Sequence, residues 1–270
     1  MYASYLNSLL EAFSRRMGLV LIGFALMWAV VFNLLVHFIP LKDGSSMVYL
    51  AQRMMGPGSL AQPALLGIGA EITGGLFWML LSILAAAPLL SSTLDRGWLE
   101  LTLSKGTARW RVFLGRYLGG CTLYLASVVI ACMPLEVRFW WKTGIGPWPL
   151  LVAMLIQTFI FASLLSLAAL AAVPQMGPAP PILLSLMVAI LSPVLAARKI
   201  GLYQILTSNW SRELIDWMYR ILPKTQELQG ASTIFIRDRA IQSWYPFWST
   251  GIFMAVMIAL ALWLLHRKSL

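Results

Sequence analysis

The run MGLVLIGFALMWAVVFNLLVHFI, residues 17–39, contains no Asp, Glu, Lys or Arg. A helix needs about 20 predominantly apolar residues to cross the roughly 30 Å hydrocarbon layer of a bilayer. Inside that layer only helices and closed barrels satisfy their own backbone groups. The run is therefore long and apolar enough to span. The rest of the chain has the same character: 60% of its 270 residues are hydrophobic, 11% are charged, 12 are Trp, and the mean hydropathy is +0.79. Soluble domains average about 25% charged residues, so most of this surface must face lipid. Five more runs meet the test, at 73–92, 117–135, 150–173, 181–197 and 246–265. The expected fold class is an all-α polytopic membrane protein with six transmembrane helices in one domain covering 1–270. Span 181–197 is short, and a five-span arrangement in which it does not cross is the alternative.

Arg15 and Arg16 precede a run too long for a signal-peptide core, and no small-residue cleavage site follows, so no secretory signal peptide is expected. Lys and Arg near short loops tend to stay in the cytoplasm. An N-terminus on that side puts nine of the 20 basic residues there and eleven outside, so the count alone does not decide. The dense 91–116 loop carries more weight than the long 198–245 segment, because long loops translocate largely regardless of charge. The expectation is an inner (plasma) membrane protein with both termini cytoplasmic.

Two stretches have the pattern of helices lying on the membrane. In 1–16, Leu6, Leu9, Leu10 and Phe13 recur at helical spacing opposite Ser4, Asn7, Glu11 and Arg15. In the 198–245 extracytoplasmic segment, Leu206, Trp210, Leu214, Trp217 and Ile221 do the same, and Pro223 ends the pattern. Both are expected to anchor at the interface.

The least apolar break falls at 91–120, SSTLDRGWLELTLSKGTARWRVFLGRYLGG, with seven charged side chains. Pro88 interrupts the span before it, and Ser92 with Asp95 resembles a capping box that uses Asp. Leu94, Trp98 and Leu101 then share a helix face, Gly106 suits a left-handed stop, and Thr107 can cap the next helix. A simple connection needs about two to eight residues. This longer, patterned one has Trp and Arg, which are favoured interface anchors. A positive-inside retention signal with both tryptophans in the aromatic belt is an equal reading of the residues alone.

LDRGWLELTLSKGTARWRVFLGRYLGG resembles the signature of type-two ABC exporter permeases, carried by Asp95, Gly97, Leu99, Glu100, Leu101, Leu103, Arg109, Gly115 and Arg116. It differs in having a single acidic residue at Asp95 and Lys105-Gly106-Thr107-Ala108 at the usual Pro-containing turn. The resemblance implies that 93–112 is a cytoplasmic coupling helix between spans two and three. It would seat on a separate nucleotide-binding subunit through Asp95, Arg96, Trp98, Glu100, Leu101, Leu103 and Arg109. It also implies two ABC ATPase subunits, a second permease copy, identical or related, and ATP and Mg on the partner. The chain itself has no G-x-x-x-x-G-K-[ST] loop to cradle phosphates, so no cofactor in this chain and no enzyme activity of its own are expected. The alternative is a non-transport scaffold or assembly factor whose 198–245 segment binds an extracytoplasmic partner.

Other chemistry is sparse. Glu71 and Glu136 fall near the ends of spans and are expected at a hydrated boundary. Asn33 and His37 lie four apart, so on one helix they would share a face. His37 and His266 form no H-E-x-x-H pair. Cys121 and Cys132 are separated by about 16 Å along a helix, too far to bridge, and read as packing residues. Met47, Met54 and Met55 are soft ligands, but in a chain with 14 Met they do not make a metal site. The net charge of +10 is accounted for by membrane flanks, without nucleic acid.

Overall fold

A computed structural model describes residues 5–6, 10–11, 16–40, 46–51, 53–92, 108–144, 146–174, 177–199, 201–205 and 209–267. The order is α1 (Arg16–Leu35), β1 (Val36–Pro40), β2 (Ser46–Leu50), β3 (Arg53–Pro57), α2 (Gly58–Thr73), α3 (Leu76–Ser92), α4 (Arg109–Thr143), α5 (Trp148–Ala172), α6 (Ala179–Ala196), α7 (Leu202–Ile205), α8 (Asn209–Ile221), α9 (Thr225–Asp238) and α10 (Tyr245–Arg267). Helices α1, α4, α5, α6 and α10 are each long and apolar enough to cross a membrane, and α2 with α3 qualifies as a pair bent by 45°. The chain is a predominantly helical, polytopic membrane protein.

Helix α5 is the centre. It is apolar all round, as a helix enclosed by others must be, and it packs against α3, α4, α6, α9 and α10. Its serines cost little because they bond locally: Ser163 donates to the Ile160 carbonyl at 2.7 Å and Ser166 to that of Ser163 at 2.7 Å. Close approach to α4 occurs at Gly120, where a Cβ would come within 2.8 Å of Leu165 Cδ2 and 3.2 Å of Ala86 Cβ. Small residues of this kind let membrane helices pack where no hydrophobic force separates helix from lipid.

Span boundaries differ from the expectation in four places. The first helix stops at Leu35, not 39, because Val36–Pro40 pairs antiparallel with Ser46–Leu50, and β3 completes a three-stranded sheet. Arg138 closes the helix end: its Nη1 donates to the Asn33 carbonyl at 2.6 Å and Nη2 to that of Val36 at 3.4 Å. The final carbonyls of a helix need such donors. The second crossing starts earlier, at α2, and breaks at Gly74–Gly75. Pro88 does not interrupt α3, and carbonyls of the helix's last turns accept from side chains, Pro88 from Ser91 at 3.2 Å and Leu89 from Arg116 at 2.9 Å. The third span is the 35-residue α4. Its N-cap is Ala108 in an extended conformation, not Thr107.

Two opposite ends result. At one, Glu11 pairs with Arg116 at 2.8 Å and the start of α4 adjoins the end of α10. The other carries the sheet, the α4–α5 turn and α7 to α9. The 198–245 segment holds two longer helices, not one. Helix α8 buries none of its residues and exposes Trp210, Leu214, Trp217 and Ile221, the expected interfacial stripe. Helix α9 instead packs on α2, α5 and α6 through Leu228, Ser232 and Ile236. Side chains from two spans fasten the turn before it: Ser192 donates to the Pro223 carbonyl at 2.9 Å, and Thr250 accepts from the Lys224 amide at 3.1 Å.

Candidate functional site

Of the expected docking residues, Asp95, Arg96, Trp98, Glu100, Leu101 and Leu103 lie outside the described residues. Arg109 is described, as the first residue of α4. It lines a cavity of about 570 Å³ with Trp110, Leu262, Leu265, His266 and Arg267. Trp110 is 47% exposed, with the Arg111 guanidinium 5.3 Å from its ring centre. Ala108, the first described residue after Ser92, lines the same cavity beside the last helix.

The break between α2 and α3 is the most polar point inside the bundle. Gly74 and Gly75 are needed because a Cβ on either would come within 3.0 Å of Ala70 O or 2.9 Å of Glu71 O. Ending a helix inside hydrocarbon frees backbone groups that neighbouring helices must satisfy. The Ala70 carbonyl, which the Gly74 amide already reaches at 2.8 Å, takes a second donor from α5, Gln157 Nε2 at 2.7 Å. The Tyr124 hydroxyl of α4 donates to the Thr73 carbonyl at 3.0 Å. Thr73 Oγ1 lies 3.0 Å from Gln157 Oε1 and 2.9 Å from the Gly69 carbonyl, and can donate to either. Gln157 sits nine residues into α5, about 14 Å along it at 1.5 Å per residue, near half the depth of a bilayer.

Beside the break runs a groove of about 720 Å³ between α2, α3 and α9, lined by Glu71, Gly75, Gln226, Gln229, Arg237 and Asp238 among others. Gln229 Nε2 donates to the Glu71 carbonyl at 3.2 Å. Charged and amide groups facing outward on so apolar a bundle suit a polar or amphiphilic ligand, or the face of another subunit.

Glu71 is exposed, but Glu136 is not: its side chain is fully buried. The Gln62 amide of α2 makes this possible, donating to the two carboxylate oxygens at 3.2 and 3.3 Å, while the Thr143 hydroxyl lies 3.3 Å from Gln62 Oε1. A cavity of about 80 Å³ adjoins the pair and also borders Arg237 and Arg239. Asn33 and His37 do not share a helix face, because His37 belongs to β1 opposite Tyr49. Asn33 donates back to the Ala29 carbonyl at 2.8 Å and accepts from Arg138. Both cysteines are free thiols buried in the core. Among the described residues no group of three or more His, Cys, Asp or Glu converges on a point.

Helix α8 is tied to the end of α6 by Arg198, whose Nε donates to Asp216 Oδ1 at 2.8 Å and whose guanidinium stacks 3.4 Å over the Tyr219 ring. The Tyr203 hydroxyl, and then Arg198, hold the Asp216 carboxyl below its usual range. A depressed carboxylate contributes stability that is complete above the free Asp pKa of about 3.9 and is lost as pH falls through the folded value. Acidification below about pH 4 is thus expected to loosen α8 before the spans melt, with protease cleavage near 206–222 as the readout. Unchanged cleavage down to pH 2.5 would refute it. No known protein family matches the chain, and no curated protein matches it.

Proposed function

We propose that the chain is the membrane-spanning subunit of an ATP-driven transporter, an exporter of the type-two ABC kind. The observation that carries this reading is the Asp95-to-Arg116 sequence pattern, whose described part, Arg109 to Arg116, begins α4 at the end of the bundle that also holds Glu11 and the end of α10. In this reading α2 and α3 count as one broken crossing, giving six spans in the plasma membrane. Both termini and 93–112 face the cytoplasm, and α8 and α9 lie on the far side.

ATP and Mg bind the partner subunits, two of which serve a pair of permeases. Trp98, Leu101 and Leu103 supply the apolar contact, with Asp95, Arg96, Glu100 and Arg109 around it. Closure of the partners presses on this elbow. Helix α4 begins inside the elbow at Arg109 and continues to Thr143 with Pro134 inside it, about 50 Å at 1.5 Å per residue, so displacement is carried along it toward the opposite end. The Gly74–Gly75 break lets α3 tilt without dragging α2. The polar groove beside it is the place for cargo to enter or for the second copy to meet the first. Force transmission of this kind requires the partner to bind two permease conformations with different affinity.

The test is affinity capture from native membranes in mild detergent, with the recovered proteins identified by mass spectrometry. The unmodified chain is expected to bring down a subunit bearing a phosphate-binding loop. Trp98→Ala with Leu101→Asp should lower that recovery at least about tenfold, the effect of losing roughly 1.4 kcal/mol of docking energy, at an unchanged melting temperature. Absence of any such subunit with the unmodified chain overturns the reading. Recovery of only a far-side protein held by 198–245 would favour a scaffold instead.

A further inference from the structure

The start of α10 and the end of α8 enclose a slot that the transport reading does not use. It has a volume of about 440 Å³ and is lined along its length by Tyr245, Trp248, Ile252, Val256 and, from α8, Ile221. Trp248, Ile252 and Val256 follow one another at four-residue spacing, so they form a single apolar strip about 12 Å long at 1.5 Å per residue. None of the three is covered by protein: Trp248 is 72% exposed and Ile252 63%.

The other end of the slot is cationic. Arg220 lines its mouth, its guanidinium 5.8 Å from the Trp217 ring centre, and it makes no ion pair among the described residues. The nearest acid on its own helix, Asp216, is already engaged by Arg198. Behind the mouth sits the buried Lys224, whose ammonium donates to Ser249 Oγ at 2.9 Å and to the Tyr219 carbonyl at 3.0 Å. Ser249 also lines the slot. By accepting from Lys224 it keeps its own hydroxyl hydrogen for an acceptor in the slot.

We propose that this slot holds one phospholipid with an anionic headgroup, its phosphate against Arg220 and Ser249 and an acyl chain along the Trp248–Ile252–Val256 strip. Charge and depth both select this occupant. An amphipathic helix such as α8 rests at the boundary between headgroups and acyl chains, with tryptophans at that level. The mouth of a slot between α8 and a spanning helix therefore opens at phosphate depth. A second copy meeting the same face across a two-fold axis would bring its own Arg220 and Lys224 against these, a like-charge contact that disfavours it.

Native mass spectrometry of the purified full chain, with equimolar phosphatidylglycerol and phosphatidylcholine of the same acyl chains, tests this. The unmodified chain should retain phosphatidylglycerol at least about fivefold over phosphatidylcholine. Arg220→Gln, a change at an exposed side chain, should erase that preference without altering the melting temperature. Ile252→Trp, which fills the strip, should lower retention of both lipids. Equal retention of the two lipids by the unmodified chain, or an undiminished preference in Arg220→Gln, overturns the proposal. So does a dimer that Ile252→Asp dissociates, because it would assign the strip to a second copy.

Discussion

Substituting Gln62 by leucine is expected to destabilise the folded chain by about 3 kcal/mol, because it strips a buried carboxylate of its amide donor. Gln62 is 3% exposed and Glu136 is fully enclosed, so neither contact is a surface convenience. Both carboxylate oxygens depend on the same Nε2, at 3.2 and 3.3 Å. The adjoining cavity of about 80 Å³ has room for a few waters, which places the loss at the low end of what breaking a buried pair costs. Glu136→Gln removes the charge at constant shape and should cost under about 1 kcal/mol. Gln62→Leu combined with Glu136→Leu should recover most of the loss, since replacing both partners leaves nothing unsatisfied. Thermal melting of these variants, the Glu136→Leu single mutant and the unmodified chain in one detergent completes the cycle. A single-mutant loss below about 0.5 kcal/mol would show that the carboxylate does not need this donor.

Gly120→Leu should be at least as damaging. A bare Cβ at this position already lies 2.8 Å from Leu165 Cδ2 and 3.2 Å from Ala86 Cβ. Leu165 can swing its terminal methyl aside, but Ala86 has no rotamer to change and its Cβ is fixed to α3. Gly120→Ala is therefore expected to cost about 1 kcal/mol, and leucine about 3 kcal/mol or more through overpacking of α3, α4 and α5. Equal melting temperatures for Gly120→Leu and the unmodified chain would mean that these helices do not meet as closely as described.

Spans four, five and six were legible to within about two residues at each end, because a continuous apolar run in lipid admits little except a helix. The same logic misread Val36–Pro40. Val36, Phe38 and Ile39 are as apolar as the residues before them, and what turns the stretch into a strand is a pairing with Ser46–Leu50 and an Arg138 cap from a helix a hundred residues away. Helix α2 was missed for the opposite reason. Gln62 and Glu71 lower its hydropathy, and their tolerance there depends on Glu136 and on an exposed groove that no local pattern announces. The interfacial stripe of α8 was readable from spacing alone, whereas α9 was not, since its burial is set by α2, α5 and α6. At the proposed docking site, charge and aromatic pattern marked the segment. Its expected contact residues other than Arg109 lie outside the described residues.

The split crossing also carries an implication for biogenesis. When Ser92 leaves the ribosome, α2 and α3 are complete, yet the groups that reconcile their mid-bilayer discontinuity have not been made. Tyr124 follows 51 residues after Thr73, and Gln157 follows 87 residues after Ala70. Until α4 is delivered the Thr73 carbonyl has no side-chain donor, and until α5 follows the Ala70 carbonyl has only the Gly74 amide. The second crossing of this protein thus waits for its polar companions on helices synthesised after it, first α4 and then the central α5.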